Sequence, residues 1–168
     1  MPELTKPQMN LPEKSRQKIE AILVVCPDQK SFLEKFNPDF CAERYDCLNT
    51  VELSLKSGMI RLSDLQFAYN KETGIDLLRA WLMNLSIYLG LDSDGQIIKS
   101  IARELYSEIY MFNLSELTLY FSKLRRGYYG IFYGRFDGMM IVSSGREYRA
   151  QRGYVLSLLS VDEQEEIS

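Results

Sequence analysis

The chain contains no histidine. That absence removes Ser-His and Cys-His nucleophile–base pairs and imidazole acid/base chemistry together. It also leaves zinc short of donors, because Cys41 and Cys47 stand six residues apart with Cys26 as the third cysteine, and structural zinc sites take four Cys or His ligands. An odd cysteine count argues against a disulfide framework, and the opening MPELTKPQMN lacks the basic stretch and apolar run of a secretory leader. A reducing, cytoplasmic location is the expectation. No apolar run approaches the roughly 18–20 residues of a membrane span, the longest being interrupted by Asp, Arg, Asn or Gly, so no membrane partner is expected.

Nucleotide and calcium signatures are missing too. Gly127, Gly130, Gly134 and Gly138 fit neither GxxxxGK[ST] nor GxGxxG, and no strand of the required kind precedes them. Asp92 and Asp94 begin like a calcium loop, but Gln96 and Ile97 then occupy the places of a ligand and of the obligatory glycine, which leaves a helix-start turn. Glu104 and Glu108 lie one helical turn apart, a spacing that describes a solvated face far more often than a catalytic couple. Nothing nominates a nucleophile, so the expectation is a protein that is not an enzyme and carries no metal and no cofactor.

What is present is helical periodicity. Pro2, Pro7 and Pro12 predict an extended N-terminal arm over residues 1–12, outside the core. Glu13–Val25 reads as a helix, with a buried strand over Ala21–Cys26 as the alternative, and Ser31–Phe36 as a short helical turn. Cys41, Tyr45, Leu48, Val51 and Leu55 recur at helical spacing toward Gly58, predicting one helix from Asp39 onward. Ser63 and Gln66 form a capping-box pattern for a short helix that Gly74 closes. Leu77, Leu78, Trp81, Leu82, Leu85 and Leu89 mark Ile75–Leu89 as the central core helix. Ile98, Ile101, Ala102, Leu105 and Ile109 stripe the next, Ser115 caps a helix reaching Gly127, and Asp137 caps a last one reaching Leu159. The reading is all-α: a single globular domain of about six or seven helices over 13–159, with a Gly/aromatic connector before the last helix and an acidic, frayed tail over 160–168.

Charge is distributed unevenly along this frame. The net charge of −3 divides into −4 over residues 1–122, +5 over 123–152 and −4 over 153–168. In the middle segment Lys123, Arg125, Arg126, Arg135, Arg146, Arg149 and Arg152 share space with Tyr128, Tyr129, Phe132, Tyr133 and Phe136. Guanidinium groups fork onto phosphates and aromatic rings stack on unpaired bases, so Lys123, Arg125, Arg126, Tyr128, Tyr129, Tyr133, Arg135, Arg146, Arg149 and Arg152 form a candidate surface for nucleic acid or a protein partner. The bland alternative stays open: Phe132, Phe136 and some tyrosines anchor the connector in the core while the arginines of the last helix are simply solvated. Within the nucleic-acid reading, 97–110, the turn near Asn113 and 115–126 are a candidate helix-turn-helix with the connector as a wing.

The stretch YFSKLRRGYYGIFYGRFDGMMI, followed by REYRAQR, resembles a family of small proteins of bacterial phages and mobile elements in which a basic residue is followed by Gly-x-Tyr-Gly-x-x-Tyr-Gly-x-x-Asp. The resemblance is strongest over Leu85–Arg152 and rests on Gly127, Tyr129, Gly130, Tyr133, Asp137, Ile141, Tyr148 and Arg152. It implies a mobile-element origin and an accessory role around DNA replication, and it assigns no chemistry to any residue. The function expected is a non-enzymatic accessory or adaptor protein, with single- or double-stranded DNA or RNA, or a replication protein such as a helicase, as candidate partners. The alternative is a protein-interaction module whose basic face meets an acidic partner without binding nucleic acid.

Overall fold

Helical periodicity governs the chain from residue 13 onward in the computed structural model, which describes residues 4, 5, 8 and 10–168. The helices run α1 (Glu13–Val25), α2 (Gln29–Lys35), α3 (Pro38–Arg44), α4 (Val51–Leu55), a 3-10 turn (Leu62–Asp64), α5 (Leu65–Ala68), α6 (Thr73–Leu89), α7 (Gly95–Ile109), α8 (Leu114–Arg125), α9 (Gly138–Ser157) and α10 (Val161–Ile167). The fold is all-α, with no strand among the described residues. Among the described residues ten α-helices stand where six or seven are expected, because short helices divide stretches whose spacing reads as continuous. The stretch read as one helix from Asp39 is α3 and α4, separated by a loop and restarted by Thr50, whose hydroxyl accepts the Leu53 N–H at 3.1 Å. The strand alternative at Ala21–Cys26 is a helix, and Cys26 and Cys41 are buried while Cys47 is exposed in the α3–α4 loop.

The apolar stripe of α6 is buried as expected, with Trp81 only 1% exposed. Its indole N–H donates to the Phe36 carbonyl at 3.1 Å, and its ring meets Phe121 edge-on at 5.4 Å. Gly74 lies inside α6 rather than ending a helix before it, and its lack of a side chain admits the Tyr106 ring, from which a Cβ would sit 2.5 Å. Helix α7 packs against both α6 and α9. The α7–α9 contact is close because Gly145 presents bare backbone: a Cβ there would lie 2.7 Å from Leu105 Cδ1 and 3.1 Å from Ile109 Cγ2.

Chain segments far apart in sequence meet at Asn113. Residues 60–63 run beside 110–114, with the Leu62 N–H donating to Phe112 O at 2.9 Å and the Leu114 N–H to Ile60 O at 3.1 Å. Asn113, not Ser115, caps α8, accepting the Glu116 N–H at 2.9 Å and donating through Nδ2 to Ser54 O at 3.0 Å. Ser115 donates instead to that same Ser54 carbonyl at 2.9 Å. The Glu116 carboxylate, fully buried, accepts the Asn113 N–H at 3.1 Å on one oxygen and Arg152 Nε at 2.6 Å on the other.

Both ends of the chain depart from expectation. The proposed arm includes residues 1–3, 6, 7 and 9, which lie outside the described residues; of the remainder, Leu4 and Leu11 pack against the core and Gln8 is buried, its amide bonded to Phe67 O. The tail is not frayed. Ser160 and Glu163 form a capping box that starts α10, and α10 folds back onto α1 and α4 through Lys14 and Lys56.

Two substitutions check this packing. Trp81→Ala should cost about 3–5 kcal/mol in denaturant unfolding, the usual range for removing a large buried aromatic. Gly145→Ala, which would stabilise an exposed helix, should instead cost about 1–3 kcal/mol, since the added methyl overpacks the α7–α9 contact; a neutral or stabilising result contradicts the close approach.

Candidate interaction surface

The connector, residues 126–137, is held by its own aromatics. Gly127 adopts φ +74° and ends α8, a left-handed conformation that favours glycine. Tyr129 then turns inward, its ring 6.0 Å from that of Tyr120, and its hydroxyl is buried with no hydrogen-bond partner among the described residues. Burial pushes the Tyr129 phenol well above its ordinary pKa, with the charge of Glu147 a lesser cause. Phe132 stacks on Phe136 at 5.6 Å, and Phe136 is buried. Asp137 closes the connector by accepting the N–H groups of Met139 and Met140 at 3.0 and 3.2 Å, capping α9. Gly127, Tyr129 and Asp137, three of the residues that carry the resemblance, therefore shape this turn.

What the connector leaves outside is Tyr128, Ile131 and Tyr133, with Tyr133 87% exposed. Arg126 and Arg135 are exposed beside them, and among the described residues neither has an acidic partner. Arg125 lies over the Tyr88 ring at 4.6 Å, a cation–π contact that recruits a residue from the end of α6. The Tyr88 contribution was not visible in sequence, since 37 residues separate it from Arg125. Arg125 and Arg126 border two adjoining hollows: one of about 340 Å³ lined with Pro38, Ala42 and Phe121, the other of about 270 Å³ lined with Leu89, Leu91 and Ile131.

The remaining cations of the segment are spent internally. Lys123 lies over the rings of Tyr128 at 4.6 Å and Tyr148 at 5.4 Å, and burial lowers its pKa. Arg146 and Arg149 both pair with Glu108, at 3.0 and 2.7 Å, and Arg152 pairs with buried Glu116. The ten candidate residues thus separate into an exposed group of Arg126, Tyr128, Tyr133 and Arg135, with half-buried Arg125 beside it over the Tyr88 ring, and a group of Lys123, Tyr129, Arg146, Arg149 and Arg152 engaged with partners inside the molecule, of which Arg146 stays exposed. Glu108 and Glu116 were the missed residues; helical spacing placed them on α7 and α8 without showing that α9 would lie against both.

The helix-turn-helix reading does not survive this geometry. The turn between α7 and α8 is present, but Leu114, Leu117, Thr118, Tyr120, Phe121 and Leu124 of α8 are buried, so the helix that would enter a major groove is a core helix. No protein-family model matches the chain, and no curated protein or solved structure matches it.

Hydrogen bonding from Arg146, aided by the charges of Arg146 and Arg149, holds the Glu108 carboxyl below its ordinary value of 4.5. A carboxylate whose folded pKa is depressed stabilises above its unfolded value and loses that contribution as pH falls through the folded one. Glu108→Gln should therefore be less stable than the wild type in denaturant unfolding at pH 7, with the difference shrinking as the pH drops below about 4.5. An unchanged difference at pH 3 would mean that the loss comes from packing rather than charge.

Proposed function

We propose that this chain is a non-enzymatic adaptor that docks an acidic segment of a protein partner on the face formed by Arg125, Arg126, Tyr128, Ile131, Tyr133 and Arg135. The observation that carries this reading is the division of the basic segment: the arginines of α9 are paired with Glu108 and Glu116, while Arg125 and Arg126 stand beside exposed aromatic and aliphatic side chains and border two apolar hollows. A continuous cationic track along α9, which a nucleic-acid backbone needs, is thereby weakened. Arginine and tyrosine around apolar pockets are the composition of protein-binding hot spots. The resemblance to phage and mobile-element proteins supports an accessory role near DNA replication, with a replication protein as the candidate partner.

Nucleic acid is the second reading, favoured by the exposure of Tyr128 and Tyr133 next to Arg126 and Arg135. The two are separated by one set of variants. On the adaptor reading, Arg125→Ala with Arg126→Ala weakens capture of a partner by about 30-fold or more while thermal stability is retained, and DNA titrations at two salt concentrations show no difference between variant and wild type. DNA binding whose salt slope falls by about 0.9 for each lost phosphate contact in the same variant would replace the adaptor reading with the nucleic-acid one.

A further inference from the structure

On another part of the molecule, α1, α4, the segment before the 3-10 turn and α9 converge on a hollow of about 510 Å³, within the range of small-molecule sites. Its cations are Lys14, Lys18, Lys56, Arg61 and Arg152. Lys56 and Arg152 have carboxylate partners; Lys14, Lys18 and Arg61 have none within salt-bridge distance among the described residues. Burial and then the neighbouring Arg61 charge lower the Lys18 pKa, with Lys14 adding to the effect and the Asp64 charge opposing it, as expected of cations gathered in one hollow.

The side of the hollow is closed by α10, and the groups α10 offers are oxygen acceptors. The Glu166 carbonyl accepts from Lys14 Nζ at 2.9 Å, the Ile167 carbonyl accepts from Arg61, and the Glu163 carboxylate meets Lys56 at 2.7 Å. The two carbonyls belong to the last turn of the helix, where unpaired C=O groups carry its negative dipole end. Helix α10 spans 7 residues and buries none of them, so polar contacts of this kind carry most of its attachment. Elements held that way open locally at the least cost in free energy.

We infer that this hollow is a binding site for a multivalent phosphate-type anion and that α10 covers it as an internal competitor, its carbonyls and Glu163 standing where the ligand's oxygens go. A compact polyanion would satisfy Lys14, Lys18 and Arg61 at once, whereas α10 offers one carbonyl each to Lys14 and Arg61. The site is separate from the proposed docking face and does not depend on it.

Pyrophosphate is the probe. Calorimetric titration of the full chain at low ionic strength should show saturable binding that sodium chloride at matched ionic strength does not reproduce. Lys18→Gln should weaken it about tenfold, the effect of one charge-assisted contact, and Lys14→Gln serves the same purpose if the first variant does not fold. Glu163→Gln keeps the capping acceptor but discards the charge facing Lys56, and should bind pyrophosphate several-fold more tightly than the wild type. No saturable binding, or binding equal in wild type and both lysine variants, overturns the site; equal affinity in wild type and Glu163→Gln overturns the covering role of α10.

Discussion

A charged pair buried at the junction of α8 and α9 is the constraint on which the rest of this fold depends. Glu116 is completely buried and its pKa is pushed up by that burial, against the pull of the Arg152 charge and hydrogen bond and of the Asn113 backbone N–H. Such a pair contributes little net free energy, yet removing one partner from a buried pair costs about 3–5 kcal/mol, because the other charge is stranded. Its value here is geometric. Asn113 caps α8 and ties it to Ser54 at the end of α4, Glu116 fixes the position of Arg152, and Arg152 sets the register of α9 against α8. Three stretches separated by about sixty and about forty residues are located by one polar cluster.

The register of α9 in turn decides what becomes of the basic segment. With Gly145 allowing α9 to lie against α7, Arg146 and Arg149 reach Glu108 and the local charge excess is reduced. The connector that precedes α9 is pinned at Tyr129, Phe132, Phe136 and Asp137, so Tyr128, Ile131 and Tyr133 are presented outward from a turn with anchored ends. An aromatic display on an ordered turn loses less conformational freedom on meeting a partner than the same residues on a flexible loop.

The long helices were legible because one-sided burial imposes a period of three to four residues, and the residues striped in α6 and α7 are buried, Leu89 only partly. Capping by Asp137 was legible for the same local reason. The short helices were not: Cys41, Tyr45, Leu48, Val51 and Leu55 all face the core, but the loop between α3 and α4 continues their spacing without helical backbone. At α8 the expected cap, Ser115, donates instead to the Ser54 carbonyl 61 residues away, while Asn113 forms the capping box with Glu116. The charge arithmetic located the basic segment but left open which of its cations are free, since pairing with Glu108 and Glu116 is a tertiary fact. The second cationic cluster gave no local sign, its members being spread from Lys14 to Arg152.

The three cysteines acquire different chemistry from where the helices put them. Burial pushes the Cys41 thiol up to about 12 and raises that of Cys26, so neither offers a thiolate near neutral pH, whereas Cys47 is exposed in the α3–α4 loop. Alkylating reagents thus meet a single address in the folded chain. Because Trp81 is the sole tryptophan and is sealed in the core, a fluorophore placed on Cys47 forms one donor–acceptor pair with it, and the folded protein carries its own spectroscopic ruler between core and surface.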